Sequence, residues 1–145
     1  MDAGPKHDSG ERSLRILVVE DNLVNQRIAM RLLQKRGHQV TVANNGREAI
    51  QFLEQSNWEF DCVLMDIQMS EMDGLEATKT IRGMESSRKT HLPIIALTAH
   101  AMEHDQELCF AAGMDRHLAK PIQTEQLLAV LREVVAGALG CAVAK

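Results

Sequence analysis

No apolar run in this 145-residue chain approaches the roughly 20 residues that a membrane-spanning helix needs. Basic charge is in the minority: 16 Lys and Arg stand against 20 Asp and Glu, a net charge of -4. That balance argues against a nucleic-acid-binding surface. Cysteine is scarce, and Cys62, Cys109 and Cys141 are odd in number and lack metal-ligand spacing. They point to a reduced, cytosolic setting, with Cys62 and Cys109 as small buried hydrophobes and Cys141 in a tail. The first thirteen residues are polar, with a Gly and a Pro, and do not form a secretory signal. Internal repeats and low-complexity tracts are lacking too. What is present, 45% hydrophobic and 25% charged residues, suits one soluble globular domain with a good core.

Strand and helix signals alternate along the chain. Leu14 to Val19 is an apolar run broken only by Arg15, as in a buried parallel strand. The next segment, Leu23 to Arg36, is helical: Val24, Ile28 and Leu32 recur every four residues, Leu33 widens the stripe, and Gly37 ends it. Gln39 to Ala43 is a short strand, Asn44 to Gly46 a turn, and Arg47 to Ser56 a helix. Cys62 to Met65 is a third strand ending on Asp66, and Leu75 to Met84 a third helix. Ile94 to Thr98 and Arg116 to Ala119 are the last strands; Met102 to Ala112 and Gln123 to Ala136 are the last helices. Five strand–helix alternations imply a doubly wound α/β fold with a parallel sheet. The expected organisation is a tail or linker stub over 1–13, one domain over 14–137 and a C-terminal tail over 138–145, too short for an output domain.

Four patches lie where predicted strands run out: Glu20-Asp21, Asp66, Thr98-Ala99 and Lys120-Pro121. In an open parallel sheet these ends share one edge, where such folds place their sites. Neighbouring residues of an extended strand point to opposite sides, so Glu20 and Asp21 meet one site only if the chain turns there. Asn22, a turn former, follows them. Alone, each patch has an ordinary explanation: solvated loop acids, a cap, a surface lysine, a threonine packing by its methyl. Their conjunction favours a shared site. Two unit charges about 4 Å apart repel by about 4 kcal/mol at an effective dielectric near 20. Three convergent acids would therefore raise one pKa or demand a cation, and magnesium suits an all-oxygen site. The Thr98 hydroxyl and Lys120 ammonium could stabilise a phosphoryl group moving onto an aspartate.

The stretches ILVVEDNLVNQ, VTVANNGREAI, CVLMDIQMSEMDG, PIIALTAHAM and GMDRHLAKPI resemble response-regulator receiver domains of two-component phosphorelays, over about Leu14 to Ala136. The resemblance implies a flavodoxin-like five-stranded sheet of order 2-1-3-4-5. It implies Asp66 as phosphoacceptor, with a magnesium ion (manganese as alternative) on Glu20, Asp21, Asp66 and the Gln68 backbone carbonyl. It also implies Thr98 as switch hydroxyl, Lys120 as partner of Asp66 or its phosphate, and a cis bond at Pro121. Gln68 and His100 occupy positions that tune dephosphorylation. Implied partners are a histidine kinase or histidine phosphotransfer domain, with no direct nucleic-acid or membrane contact, and a monomer or weak dimer is expected. The wording EDNLVNQ and MDIQMSEMDG is most like receivers of hybrid sensor histidine kinases, which would place the domain in the cytoplasm, tethered to a sensor or free-standing. Such a receiver phosphorylates and dephosphorylates itself.

Two positions depart from the family pattern. Ser70 stands where a proline is usual, and His117 stands at the switch position usually held by Tyr or Phe, in a chain without tyrosine. Three other functions compete. An aspartyl-nucleophile phosphatase often has a second acid two residues on, where this chain has Gln68. A flavodoxin-like cofactor binder needs a phosphate loop after the first strand, where Glu20-Asp21 would repel phosphate. A pseudo-receiver would be a pure interaction module, despite carrying all five key side chains.

Overall fold

In a computed structural model the described residues are 13–69, 73–85, 91–99 and 103–133. The strands are β1 (Arg15–Val19), β2 (Gln39–Ala43), β3 (Cys62–Asp66), β4 (Ile94–Thr98) and β5 (Arg116–Ala119). The helices are α1 (Leu23–Gln34), α2 (Gly46–Gln55), α3 (Gly74–Glu85) and α4 (Glu103–Ala112). A fifth, α5, is described over 124–133. The strands form one parallel sheet in the order β2-β1-β3-β4-β5, the order implied by the resemblance. Predicted and observed strands differ by at most a residue at the ends.

Burial follows position in the sheet. Every residue of the inner strands β3 and β4 is buried, and so are four of five in β1. The edge strands β2 and β5 are mostly half-exposed. Continuous apolar runs thus became inner strands, covered on both faces. Alternate residues of each strand feed two cores. Ile16, Val18, Leu64 and Leu97 pack with Ala29 and Leu33 of α1 and Leu127 and Leu131 of α5. Leu17, Val19, Val63 and Met65 pack with α2, α3 and α4 through Leu53, Ile81 and Cys109. Cys62 and Cys109 are buried free thiols, and burial, with the nearby Asp61 charge second, pushes the Cys62 thiol up to about 12.

The side of α1 that meets the sheet is only partly the expected stripe: Leu33 is buried and Leu32 packs against the core, but the row's first half turns out. Gln26, Ala29 and Leu33 face inward, whereas Val24 is 65% and Ile28 41% exposed. Ala29 lets the helix lie close to the sheet, and Gln26 is drawn in by hydrogen bonds to the neighbouring loops. The Val24–Ile28 row is rotated outward as a result. Asn22 caps α1 by accepting from the Asn25 N–H at 3.0 Å, and Asn45 caps α2 by accepting from the Glu48 N–H at 2.9 Å. Asp73 accepts from the Glu76 N–H in the first turn of α3. Gly37 and Gly113, with φ of 88° and 112°, follow α1 and α4 in the left-handed conformation that ends helices.

Away from the strand ends that carry the acids, Arg82 ties α3 to the segments flanking β4. Its guanidinium donates to Glu85, Asp115 and the backbone carbonyls of Leu92 and Gly113. The Glu85 carboxylate also accepts from the Leu92 N–H, so this buried charge is paired and fully hydrogen-bonded.

Candidate functional site

The register brings the predicted strand ends together. Val19 is level with Met65 in the β1–β3 pair, so Glu20 is level with Asp66. Asp66 pairs with Leu97, and Thr98 with Ala119, the residue before Lys120. The chain turns after Glu20, as the sequence requires: the Asn22 N–H donates to Glu20 Oε2 at 3.1 Å. Carboxylate oxygens of Glu20, Asp21 and Asp66 consequently lie within 4.8 Å of one another. Glu20 and Asp66 are buried, and Asp21 is exposed at the mouth.

Lys120 crosses this cluster. Its Nζ is 3.0 Å from Asp66 Oδ2 and 3.4 Å from Glu20 Oε1. The other Asp66 oxygen accepts from the Gln68 N–H at 3.0 Å. The Lys120–Pro121 peptide is cis, as expected. The Lys120 N–H donates to the Thr98 carbonyl at 2.8 Å, which ties the β4 and β5 ends together. The buried residue Thr98 stands beside Asp66 on the next strand. His117 is half-buried on β5, its ring edge-on to Phe110 with centroids 6.1 Å apart. His100 and Ser70 lie outside the described residues.

The electrostatics match the geometry. Burial raises the Glu20 carboxyl above its ordinary value, and its hydrogen bond to Asp66 raises it further; the Asn22 N–H and Lys120 pull the other way. For Lys120, burial works against the charge, but the hydrogen bond and charge of Asp66, with Glu20 behind it, outweigh burial and raise its pKa. The site is thus an acid cluster held by one internal cation. Its donors are carboxylate oxygens with one member open to solvent, the hard-oxygen set that fits a divalent cation. Among the described residues, no other His, Cys, Asp and Glu group has metal-ligand geometry.

Sequence reasoning missed two supports of this site. Gln26, buried in α1, donates from Nε2 to the Glu20 carbonyl at 2.5 Å and to Asn44 Oδ1 at 2.9 Å. The available signal was a polar residue three positions before Ala29, on the helix side that turns inward. Gly74 sits where a Cβ would collide with the Asp66 carbonyl oxygen and lie 2.7 Å from Ile67 Cα. Its N–H donates to the Ile67 carbonyl, so the start of α3 presses on the strand end that carries Asp66.

Over residues 16–132 the sequence matches the response regulator receiver domain family. The chain belongs to that family. Receiver domains of this kind serve two-component phosphorelay signalling, and curated relatives are hybrid histidine kinases. Hybrid signal transduction histidine kinase I of Dictyostelium discoideum is 44% identical over 120 residues, which is 81% of this chain and 7% of that protein. This chain therefore spans only a small part of the length of that relative. The receiver domain of the histidine kinase CKI1 from Arabidopsis thaliana, complexed with Mg2+ and BeF3-, is 36% identical with a TM-score of 0.77. That match covers 90% of this chain and 95% of the other. The Saccharomyces cerevisiae complex of the phosphotransfer protein Ypd1 with the Ssk1 receiver domain matches at 28% identity and a TM-score of 0.75, over 90% of this chain and 92% of that one. Among the described residues no helix is long and apolar enough to cross a membrane.

Proposed function

We propose that this domain accepts a phosphoryl group from a phosphohistidine onto Asp66. The observation that carries the reading is the position of Asp66: buried at the sheet edge, 3.0 Å from the Lys120 ammonium, with two further carboxylates within 4.8 Å. The Asp66 carboxylate attacks phosphorus in line with the bond to the imidazole nitrogen. That P–N bond breaks, its electron pair stays on the imidazole, and an acyl phosphate forms on Asp66. Lys120 then moves with the charge, from the carboxylate oxygen to the phosphoryl oxygens. The Thr98 hydroxyl donates to a phosphoryl oxygen, and His117 on β5 responds to its movement. Water later cleaves the acyl phosphate, giving inorganic phosphate and the free carboxylate; Gln68, exposed near the mouth, tunes that step.

Glu20, Asp21, Asp66 and the Gln68 backbone carbonyl would hold Mg2+, or Mn2+, which would supply positive charge to the transferring phosphoryl group. Their support is the all-oxygen, partly open cluster described above. The same metal is present in the CKI1 receiver complex.

The partner is a histidine kinase or phosphotransfer domain, as Ypd1 is for the Ssk1 receiver. An apolar row on α1 supports docking of such a partner beside the site: Leu23, Val24 and Ile28 are exposed. Ile28 also lines a pocket with Glu20, Lys120 and Pro121. The 44% identity to a hybrid histidine kinase supports residues 14–137 as the receiver segment of such a kinase. Two free buried thiols favour a reducing, cytoplasmic compartment.

Incubation with acetyl phosphate and magnesium tests the reading by intact mass. A phosphoryl adduct is expected on the wild type and not on Asp66→Asn or in chelator. Absence of an adduct, with no binding of the beryllofluoride mimic, would leave a pseudo-receiver that works by docking alone.

A further inference from the structure

Glu20 is fixed by its backbone as well as by its side chain. Its N–H donates to the Ala43 carbonyl at 3.0 Å, at the end of β2. Its carbonyl accepts from Gln26 Nε2 at 2.5 Å, and the same nitrogen donates to Asn44 Oδ1 at 2.9 Å. A carbonyl can only accept, so the atom facing Glu20 must be the amide nitrogen of Gln26. The direction of the remaining bonds follows. Asn44 presents its oxygen to Gln26 and, through its backbone N–H and Nδ2, donates to Glu48 Oε1 at 2.8 and 3.1 Å. Gln26 Nε2 is thus one donor shared by two acceptors, the carbonyl of the Glu20–Asp21 peptide and Asn44 Oδ1, and Asn44 in turn donates to Glu48 in the first turn of α2. Gln26 is buried. It faces inward on α1, whereas Val24 and Ile28, which the sequence pattern would have put there, are exposed. An amide at such a place costs desolvation unless its hydrogen bonds are made.

We infer that Gln26 is a positioning residue: by holding the Glu20–Asp21 peptide against the β2–α2 turn, it sets the spacing of the two acids for a divalent cation. The inference rests on the metal-dependent receiver reading above and adds to it a residue that touches neither metal nor phosphoryl group. Outer contacts that orient metal-binding groups typically change affinity by about 10- to 100-fold when lost. Because Gln26 acts on the peptide and not on a carboxylate, its loss belongs at the lower end, about tenfold. Asn44→Ala, at an exposed position, leaves the Gln26–Glu20 bond and should weaken affinity less. Gln26→Glu sets a carboxylate against two acceptor oxygens and should not rescue.

Calorimetric titration with Mg2+ alone compares wild type, Gln26→Ala, Gln26→Glu, Asn44→Ala and Asp66→Asn, beside acetyl phosphate kinetics at varied Mg2+. The expected result is an affinity about tenfold weaker in Gln26→Ala, a smaller loss in Asn44→Ala and no rescue in Gln26→Glu. In the kinetics, Gln26→Ala should raise the Mg2+ needed for half-maximal rate more than it lowers the maximal rate. Wild-type affinity in Gln26→Ala, while Asp66→Asn binds weakly, would overturn the inference and leave the receiver reading standing. Failure of the wild type to bind Mg2+ would overturn both. Should Gln26→Ala not fold, an unchanged affinity in Asn44→Ala overturns the inference by itself.

Discussion

Lys120 Nζ stands between Asp66 Oδ2, at 3.0 Å, and Glu20 Oε1, at 3.4 Å. One ammonium therefore serves two buried carboxylates, from the ends of neighbouring strands, that are 46 residues apart in sequence (66 minus 20). Without a metal it is the charge that lets both acids share one sheet edge. In the proposed transfer a bound metal would release it for the phosphoryl oxygens. On that proposal the two roles compete for one side chain, which would link the stability of the resting domain to its readiness for transfer.

Lys120→Ala separates these roles. In metal-free buffer it leaves two buried acids without their cation and should lower stability by about 1–3 kcal/mol, less than for a fully buried pair because the lysine is partly open. Magnesium binding should persist, since Lys120 supplies no metal-directed oxygen, while acetyl phosphate labelling slows. Denaturant melts with and without Mg2+, together with calorimetry, check this. Collapse of Mg2+ affinity in the variant would contradict the separation.

Asp66→Asn tests the crowding itself. Two carboxylates at contact distance repel even with a lysine beside them, so removing one charge should raise the metal-free melting temperature, by about 1 kcal/mol of stability. Adding Mg2+ should stabilise the wild type through binding to the native state and should stabilise the variant less. An unchanged or lower melting temperature for Asp66→Asn in chelator would mean that the acids do not repel at close range.

The pH dependence has a definite sign. Burial and Asp66 raise the folded pKa of Glu20 above 4.5. The stability that belongs to its protonated form is complete below that value and is lost as pH rises through the folded pKa. Glu20→Gln cannot ionise, so its metal-free stability should gain on the wild type from pH 4.5 upward. The gap should close in Mg2+, which favours the ionised acid. Parallel melts of both proteins between pH 4.5 and 8 check this. A gap that shrinks with rising pH would reverse the assigned shift.

The sheet was legible because Leu14 to Val19, Cys62 to Asp66 and Ile94 to Thr98 are apolar runs that only a two-sided parallel core accommodates. The site was legible for the same reason: Asp66 and Thr98 are the last residues of their runs and Glu20 directly follows its own, and register does the rest. The facing of α1 was legible at Leu33 but not in its first half. The i, i+4 row Val24–Ile28–Leu32 is the more apolar, yet Gln26, Ala29 and Leu33 turn inward. Periodicity weighs apolar area alone, whereas the helix also satisfies the Glu20 carbonyl, a demand made by a different loop. Gly74 was hidden likewise, since it answers to a contact with the backbone of Asp66 and Ile67 that the local sequence does not express.

Two glycines of α3 make opposite predictions. A Cβ on Gly74 meets the Asp66 carbonyl oxygen and the Ile67 backbone, neither of which yields without moving the strand end that carries Asp66. Gly74→Ala should cost about 1–3 kcal/mol by overpacking and weaken Mg2+ binding, because Asp66 shifts relative to Glu20. Gly83, exposed on the same helix, has nothing within 4 Å of an added Cβ. Gly83→Ala should stabilise by about 0.5–1 kcal/mol through helix propensity and leave Mg2+ affinity alone. Urea melts and calorimetry of the two variants supply the comparison. Equal stability changes would show that the close approach of α3 to Asp66 carries no energy, and with it that the position of Asp66 is not set from below by this helix.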